Sequence, residues 1–193
     1  MPEKYKNKYR IQSHRMPGWD YSGNGMYFIT LVTQNRDCNL GEIVKNKIIL
    51  SDFGIIVKNE WEISFEIRDE LFCDDYIIMP NHLHAIVIIE KPIVNTHVDT
   101  HGRAYQQSTT KSNFIRKPKS ISSFIAGFKS AINSKIDDYI DKHNLDIPKY
   151  NRNNHFFQSN YHDHIIRNDV SFQRIKNYII NNPLKWNNDN LFE

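Results

Sequence analysis

The chain is poor in cysteine: Cys38 and Cys73 are its only two. A pair of thiols cannot build a disulfide framework and fits a reduced cytosol, and without CxxC spacing it does not make a zinc ribbon. Long apolar runs are also missing. Stretches such as Ala85 to Ile89 fall far short of the ~20 residues that span a bilayer, so no membrane partner is expected. The opening MPEKYKNKYR carries no apolar segment of the secretory kind, and the expected location is the cytoplasm. No internal repeat is present.

Acidic residues vanish from one long stretch. Between Thr100 and Ile136 there is no Asp or Glu, while Arg103, Lys111, Arg116, Lys117, Lys119, Lys129 and Lys135 all occur. Near the N-terminus Lys4, Lys6, Lys8, Arg10 and Arg15 are opposed by Glu3 alone. The net charge of +3 is modest, so its segregation is the informative part. Basic stretches interleaved with Tyr and Phe suit a polyanion such as nucleic acid; a solvated surface with a basic tail is the plainer alternative. The 193 residues, 11 of them Phe and 10 Tyr, suffice for one domain with an appended arm.

Residues 1–25 read as an irregular basic arm ending in DYSGNG, and MYFITLVT (26–33) reads as a strand. A short strand near Asn46 to Leu50 follows. Ser51 then caps a helix reaching about Phe65. Two strands, Phe72 to Met79 and His82 to Glu90, flank a turn at Pro80-Asn81. Residues 91–118 lack periodicity and form a long loop or insertion. Ser120 caps a second helix with apolar positions at Ile121, Phe124, Ile125, Phe128, Ile132 and Ile136. A strand over Phe156 to Ile166 and a helix from Asp169 to about Asn182, stopped by Pro183, complete the domain at 26–186; a tail occupies 187–193. This order predicts an α+β fold, a ferredoxin-like antiparallel sheet with helices packed on it.

The run MPNHLHAIV (79–87) carries the chemistry. Strand side chains alternate, so His82 and His84 share one face while Leu83 points to the other. Two imidazoles so placed can hold one ion or one phosphate; the alternative is one buried, hydrogen-bonded histidine beside an incidental one. His162 and His164 in NYHDHII form a rival pair, but the charged Asp163 between them predicts that the opposite strand face does not form core. On the last helix Phe172, Ile175 and Ile179 make the core stripe, whereas Arg174, Tyr178, Asn181 and Asn182 gather on a polar side. Tyr178 there is either a surface tyrosine at a helix–sheet edge or a functional group.

The chain resembles the HUH-type single-tyrosine transposases, and most closely the REP-associated tyrosine transposases. The resemblance is carried by DYSGNGMYFITLVTQNR, MPNHLHAIV, SSFIAGFKSAINSKI, and HDHIIRN followed by NYIINNPLKW. It implies the HUH endonuclease fold, with His82 and His84 as metal ligands. Tyr178, five residues before the proline of the NP motif, would be the nucleophile, and Asn182 the third ligand, where some relatives carry glutamine. The implied cofactor is Mg²⁺ or Mn²⁺. The implied partner is single-stranded DNA with hairpins, cleaved and rejoined through a 5′-phosphotyrosine link by a monomer or homodimer. DNA contacts are expected from Lys4, Lys6, Lys8, Arg10, Arg15, Lys119, Lys129, His164, Arg167 and Arg174. The competing readings are a DNA-binding regulator that does not cleave, a metal-dependent hydrolase, and an interaction domain with incidental histidines.

If the N-terminal arm binds phosphates, neutralising Lys4, Lys6 and Lys8 flattens the dependence of log K on log salt by about 0.7 for each single-strand phosphate that the arm no longer neutralises. An unchanged slope in a binding titration excludes the arm from the DNA interface.

Overall fold

The computed structural model describes residues 15–91, 119–151 and 153–188, together with two short strands near the N-terminus. These are β1 (Lys4–Tyr5) and β2 (Lys8–Tyr9), a minimal antiparallel ladder within what the sequence predicts to be an irregular arm. The proposed loop at 91–118 lies outside the described residues except for Lys91 at its start.

The domain then runs β3 (Gly25–Val32), β4 (Gly41–Val44), β5 (Lys47–Leu50), α1 (Asp52–Glu66), β6 (Leu71–Met79), β7 (His82–Ile89), α2 (Ile121–His143), β8 (His162–Ile166) and α3 (Asp169–Asn181). A 3₁₀ turn, Asn182–Asn188, follows α3. The main sheet has the order β6-β7-β3-β8, every pairing antiparallel. With the small β4–β5 hairpin set aside, the succession β3-α1-β6-β7-α2-β8 and this strand order make the ferredoxin-like arrangement. Among the described residues no helix is long and apolar enough to cross a membrane.

Alternation on the strands divides the interior in two. Leu83, Ala85, Val87 and Ile89 of β7 join Tyr27, Ile29 and Leu31 of β3 in the main core under α1 and α2. Trp61 of α1 sits at its centre, its ring 5.5 Å from that of Phe124 and 5.1 Å from that of Phe128, both on α2. Every apolar position predicted for α2 is buried, Ile140 extends the stripe, and Ser120 caps the helix as predicted, through a reciprocal box with Ser123. On the other face α3 covers a smaller cluster, Ile86 and Ile166 against Ile175 and Ile179.

Three local expectations are corrected. The strand expected near Asn46 to Leu50 is half of a hairpin: Lys45 and Asn46 both adopt positive φ (50° and 62°), forming the tight turn that pairs Val44 with Lys47. Neither turn residue is glycine, so the usual hairpin signal is absent. The strand expected over Phe156 to Ile166 is confined to His162–Ile166. Phe156 and Phe157 reach the core from an irregular segment, joined to the sheet by an isolated bridge between Thr33 and Phe157. The face of β8 opposite its histidines does contribute to the core, because Ile165 packs against the main cluster while Asp163 is half-buried beside it.

Helix α1 begins where Ser51 accepts from the Gly54 amide (3.0 Å) and donates to the Asn39 carbonyl (2.5 Å). Gly54 lies directly on the backbone of Leu40, and a Cβ there would stand 2.0 Å from the Leu40 oxygen. Gly54→Ala is therefore expected to lower stability by about 1–3 kcal/mol, the usual range for overpacking, in a denaturant melt.

Candidate active site

Toward one end, the face covered by α3 turns from apolar to polar. His84 lies opposite Thr30 of β3 and Ile77 of β6, and His82 opposite Val32 and Met79. Both imidazoles are buried, with ring centroids 4.4 Å apart. Each is fixed through Nδ1. That of His82 lies 2.7 Å from Asn81 Oδ1, and that of His84 lies 2.8 Å from Thr30 Oγ1. An amide oxygen only accepts, so His82 carries its proton on Nδ1 and presents a lone pair at Nε2. The Thr30 hydroxyl can donate or accept; where it accepts from Nδ1, His84 Nε2 accepts a hydrogen bond from the hydroxyl of Tyr178, whose oxygen is 3.2 Å away.

Tyr178 reaches this place because α3 buries Ile175 and Ile179 and turns the residue between them along the helix to the rim, where it is 38% exposed. The edge of its ring meets Phe28 (6.0 Å) and His84 (5.2 Å). Asn182 follows one turn later at the start of the 3₁₀ segment. It is 1% exposed, so the predicted polar side of this helix splits: Tyr178 stays at the surface and Asn182 turns inward. Asn181 bonds back to the Asn177 carbonyl. Beyond Asn182, Trp186 is buried with its ring 6.0 Å from His82. Asn182 is thus bracketed in the chain by two residues that contact the histidines.

Among the described residues no group of three His, Cys, Asp or Glu side chains is placed to hold a metal. The donor set that fits one is two imidazoles and an amide. His82 Nε2 and Asn182 Oδ1 are buried acceptor atoms whose hydrogen-bonding capacity is unused, although both residues are held by other contacts. Imidazoles engaged at Nδ1 by a neighbouring side chain, with Nε2 outward, have the outer hydrogen-bonding support common to metal ligands. Burial, followed by the neighbouring His82, holds the pKa of His84 well below the ordinary imidazole value, which keeps it neutral and fit for ligation.

The other HxH pair does not join this one. His162 pairs across β3 at Thr30, the same residue that faces His84 on the far side, which puts the two histidines two strand spacings apart, about 10 Å. His164, Arg167 and Arg174 gather instead around a cavity at the start of α3. Arg15 lies over the rings of Tyr21 and Tyr161, and Lys119 pairs with Glu70 at 3.6 Å. Lys129 donates to the carbonyls of Gln158 (2.5 Å) and Asn160 (3.0 Å), securing the segment before β8. The side chains of Lys4, Lys6, Lys8 and Arg10 lie outside the described residues.

Sequence reasoning missed Thr30, Asn81, Phe28 and Trp186, which orient or enclose the histidines and tyrosine. It also missed Lys176, two residues before Tyr178, whose ammonium lies 2.9 Å from Asp74 and 3.0 Å from Asp75. Consecutive strand residues normally face opposite ways; the irregularity of β6 between Cys73 and Tyr76 lets both carboxylates meet one cation. Asn81 stands next to the HxH and is readable as a neighbour, whereas the others emerge only from strand register and helix docking.

A protein of Haemophilus influenzae, itself uncharacterized, is 31% identical over 185 residues, covering 94% of this chain and 92% of its own. The chain belongs to the same family as that protein. No family model matches it. Among solved structures it is similar to a REP-associated tyrosine transposase bound to a REP hairpin. There the identity is 16%, with 91% of this chain and 74% of the other covered at a TM-score of 0.55. The chain thus has the fold of that transposase. A candidate transposase of Deinococcus radiodurans R1, 15% identical with 89% and 97% of the chains covered, superposes at a TM-score of 0.41, too loosely to add to the argument.

The depressed pKa of His84 has a consequence for stability. Above the ordinary imidazole value, about 6.5, neither folded nor unfolded state protonates this residue; below it the unfolded chain takes up a proton that the folded site resists. The contribution is complete above about pH 6.5 and declines as pH falls, by at most about 1.4 kcal/mol per pH unit. Unfolding midpoints measured from about pH 7.5 to 5.5 are expected to drop less steeply in His84→Gln than in the parent.

Proposed function

We propose that the protein is a single-tyrosine DNA endonuclease and strand-transfer enzyme. In this reading it cleaves single-stranded DNA beside hairpins with the help of Mg²⁺ or Mn²⁺. The observation that carries the reading is the hydroxyl of rim-exposed Tyr178, 3.2 Å from Nε2 of buried His84, with His82 on the same strand face. The likeness of fold to a hairpin-bound transposase supports it.

Tyr178 attacks the scissile phosphorus. A bond forms between its phenolic oxygen and phosphorus as the phenolic proton is released to solvent, the bond from phosphorus to the 3′ oxygen breaks, and that oxygen takes up one proton and departs as a hydroxyl, so the exchange is neutral in protons. The product is a 5′-phosphotyrosine. Attack by a second 3′-hydroxyl reverses these changes and joins strands without an external energy source. His82, His84 and Asn182 would hold the divalent ion, which when bound draws charge from the phosphate and fixes its orientation. Asn81 and Thr30 hold both rings in place through Nδ1 for that task. Phe28 limits the swing of the phenol, and in the absence of substrate His84 keeps the hydroxyl at the rim.

The test is incubation of the protein with Mn²⁺ or Mg²⁺ and labelled single-stranded oligonucleotides tiled across the flanks of its own gene. A DNA–protein adduct that survives SDS is expected, absent with Tyr178→Phe and with EDTA. Cleavage without any adduct would mean attack by water and overturn the tyrosine mechanism. Selective binding of hairpins without cleavage would leave a regulator in its place.

A further inference from the structure

Outside the cluster of histidines and tyrosine, an open cavity of about 450 Å³ lies between the outer edge of β8 and the first turns of α3. Its walls carry Arg167, Arg174 and His164 against a single carboxylate, Asp163. Neither guanidinium forms an ion pair with a described carboxylate. Arg167 instead rests over the ring of Trp19 at 5.7 Å and against the sulfur of Met16. Two permanent cations on a concave wall, one of them stacked on an indole, offer both a phosphate and a planar base something to bind.

The cavity leads to the nucleophile. Ser171, Arg174 and Tyr178 follow one another at helical spacing along one side of α3, so Arg174 lies one turn, about 6 Å, before Tyr178. Beneath them His164 pairs in register with Phe28, the residue whose ring meets that of Tyr178. Charge also decides which end of the cavity takes an anion. Asp163 is half-buried, accepts from Tyr21 and keeps its Oδ1 out of solvent, so its negative charge repels a phosphate from its own part of the lining. The favourable place is beside Arg174 and Arg167, and of the two it is Arg174 that stands one turn from Tyr178 on α3.

We infer that this cavity is a subsite for the DNA strand next to the scissile bond, with a phosphate held by Arg167 and Arg174 and its base against the Trp19–Arg167 stack. The inference rests on the reading of Tyr178 as nucleophile for its place in the reaction, but not for the binding itself.

The experiment measures binding of short mixed-sequence single-stranded DNA across a salt series, using Tyr178→Phe protein so that no covalent step intervenes. Adding Arg167→Gln and Arg174→Gln is expected to weaken binding roughly tenfold and to reduce the slope of log K against log salt by about 0.7, the value for the one single-strand phosphate that the two hold together. Lys58→Ala with Lys142→Ala, exposed cations on the helices of the opposite face, serves as the control and should leave the slope unchanged. Equal melting midpoints verify that the arginine variant is folded. If its affinity and slope match those of its parent, the subsite is overturned, even where the Tyr178 protein forms its adduct. If the slope falls as expected while the Tyr178 protein forms no adduct, the subsite stands and the nuclease reading fails.

Discussion

Side chains along β7 point alternately to the two faces of the sheet, and the arrangement around the histidines depends on that alternation holding from the Pro80-Asn81 turn onward. Leu83, Ala85, Val87 and Ile89 are fully buried in the main core, and this apolar set locks the strand in register. A slip of one residue would drive two imidazoles into that core and put leucine and alanine under α3. Asn81 ties the turn to the first imidazole while its carbonyl accepts from the backbone and hydroxyl of Thr33. The residue that ends the hairpin thus also aims the first histidine.

The second constraint is weaker. Helix α2 buries seven large apolar side chains, but α3 buries only Ile175 and Ile179, roughly 1.5–3 kcal/mol each if fully removed from water. Lys176, gripping Asp74 and Asp75, supplies a polar tether on the same helix. It is partly exposed, so its energetic worth is small; its geometric effect is to define where along β6 the helix sits.

Much of this was legible in the chain. The capping serines at 51 and 120, the stripe of α2, and the two imidazoles on one strand face follow from local rules that tertiary context did not override. Other features required partners distant in sequence. Thr30 matters because register places it between His84 and His162, and nothing in MYFITLVT distinguishes it from Thr33. Asn182 is polar by type, yet it stands within about 20° of Ile175 in helical projection and keeps helical φ/ψ, so its inward position follows from the same stripe that buries the isoleucines. The β4–β5 hairpin escaped notice because its turn is made by Lys45 and Asn46 rather than by glycine.

Helix α3 also bears on how the site comes together. Tyr178 and Asn182 belong to a single continuous stretch of backbone, whereas His82 and His84 belong to the sheet. The cluster is therefore a joint between two stiff bodies, not a set of independent loops. The sheet is held by a ladder of backbone hydrogen bonds that ionic strength barely touches, while the helix is seated by two isoleucines and a cation between two carboxylates. Any slide of the helix carries phenol and amide together, so the arrangement has a single mechanical coordinate, and the softer of its two halves sets the tolerance of the whole.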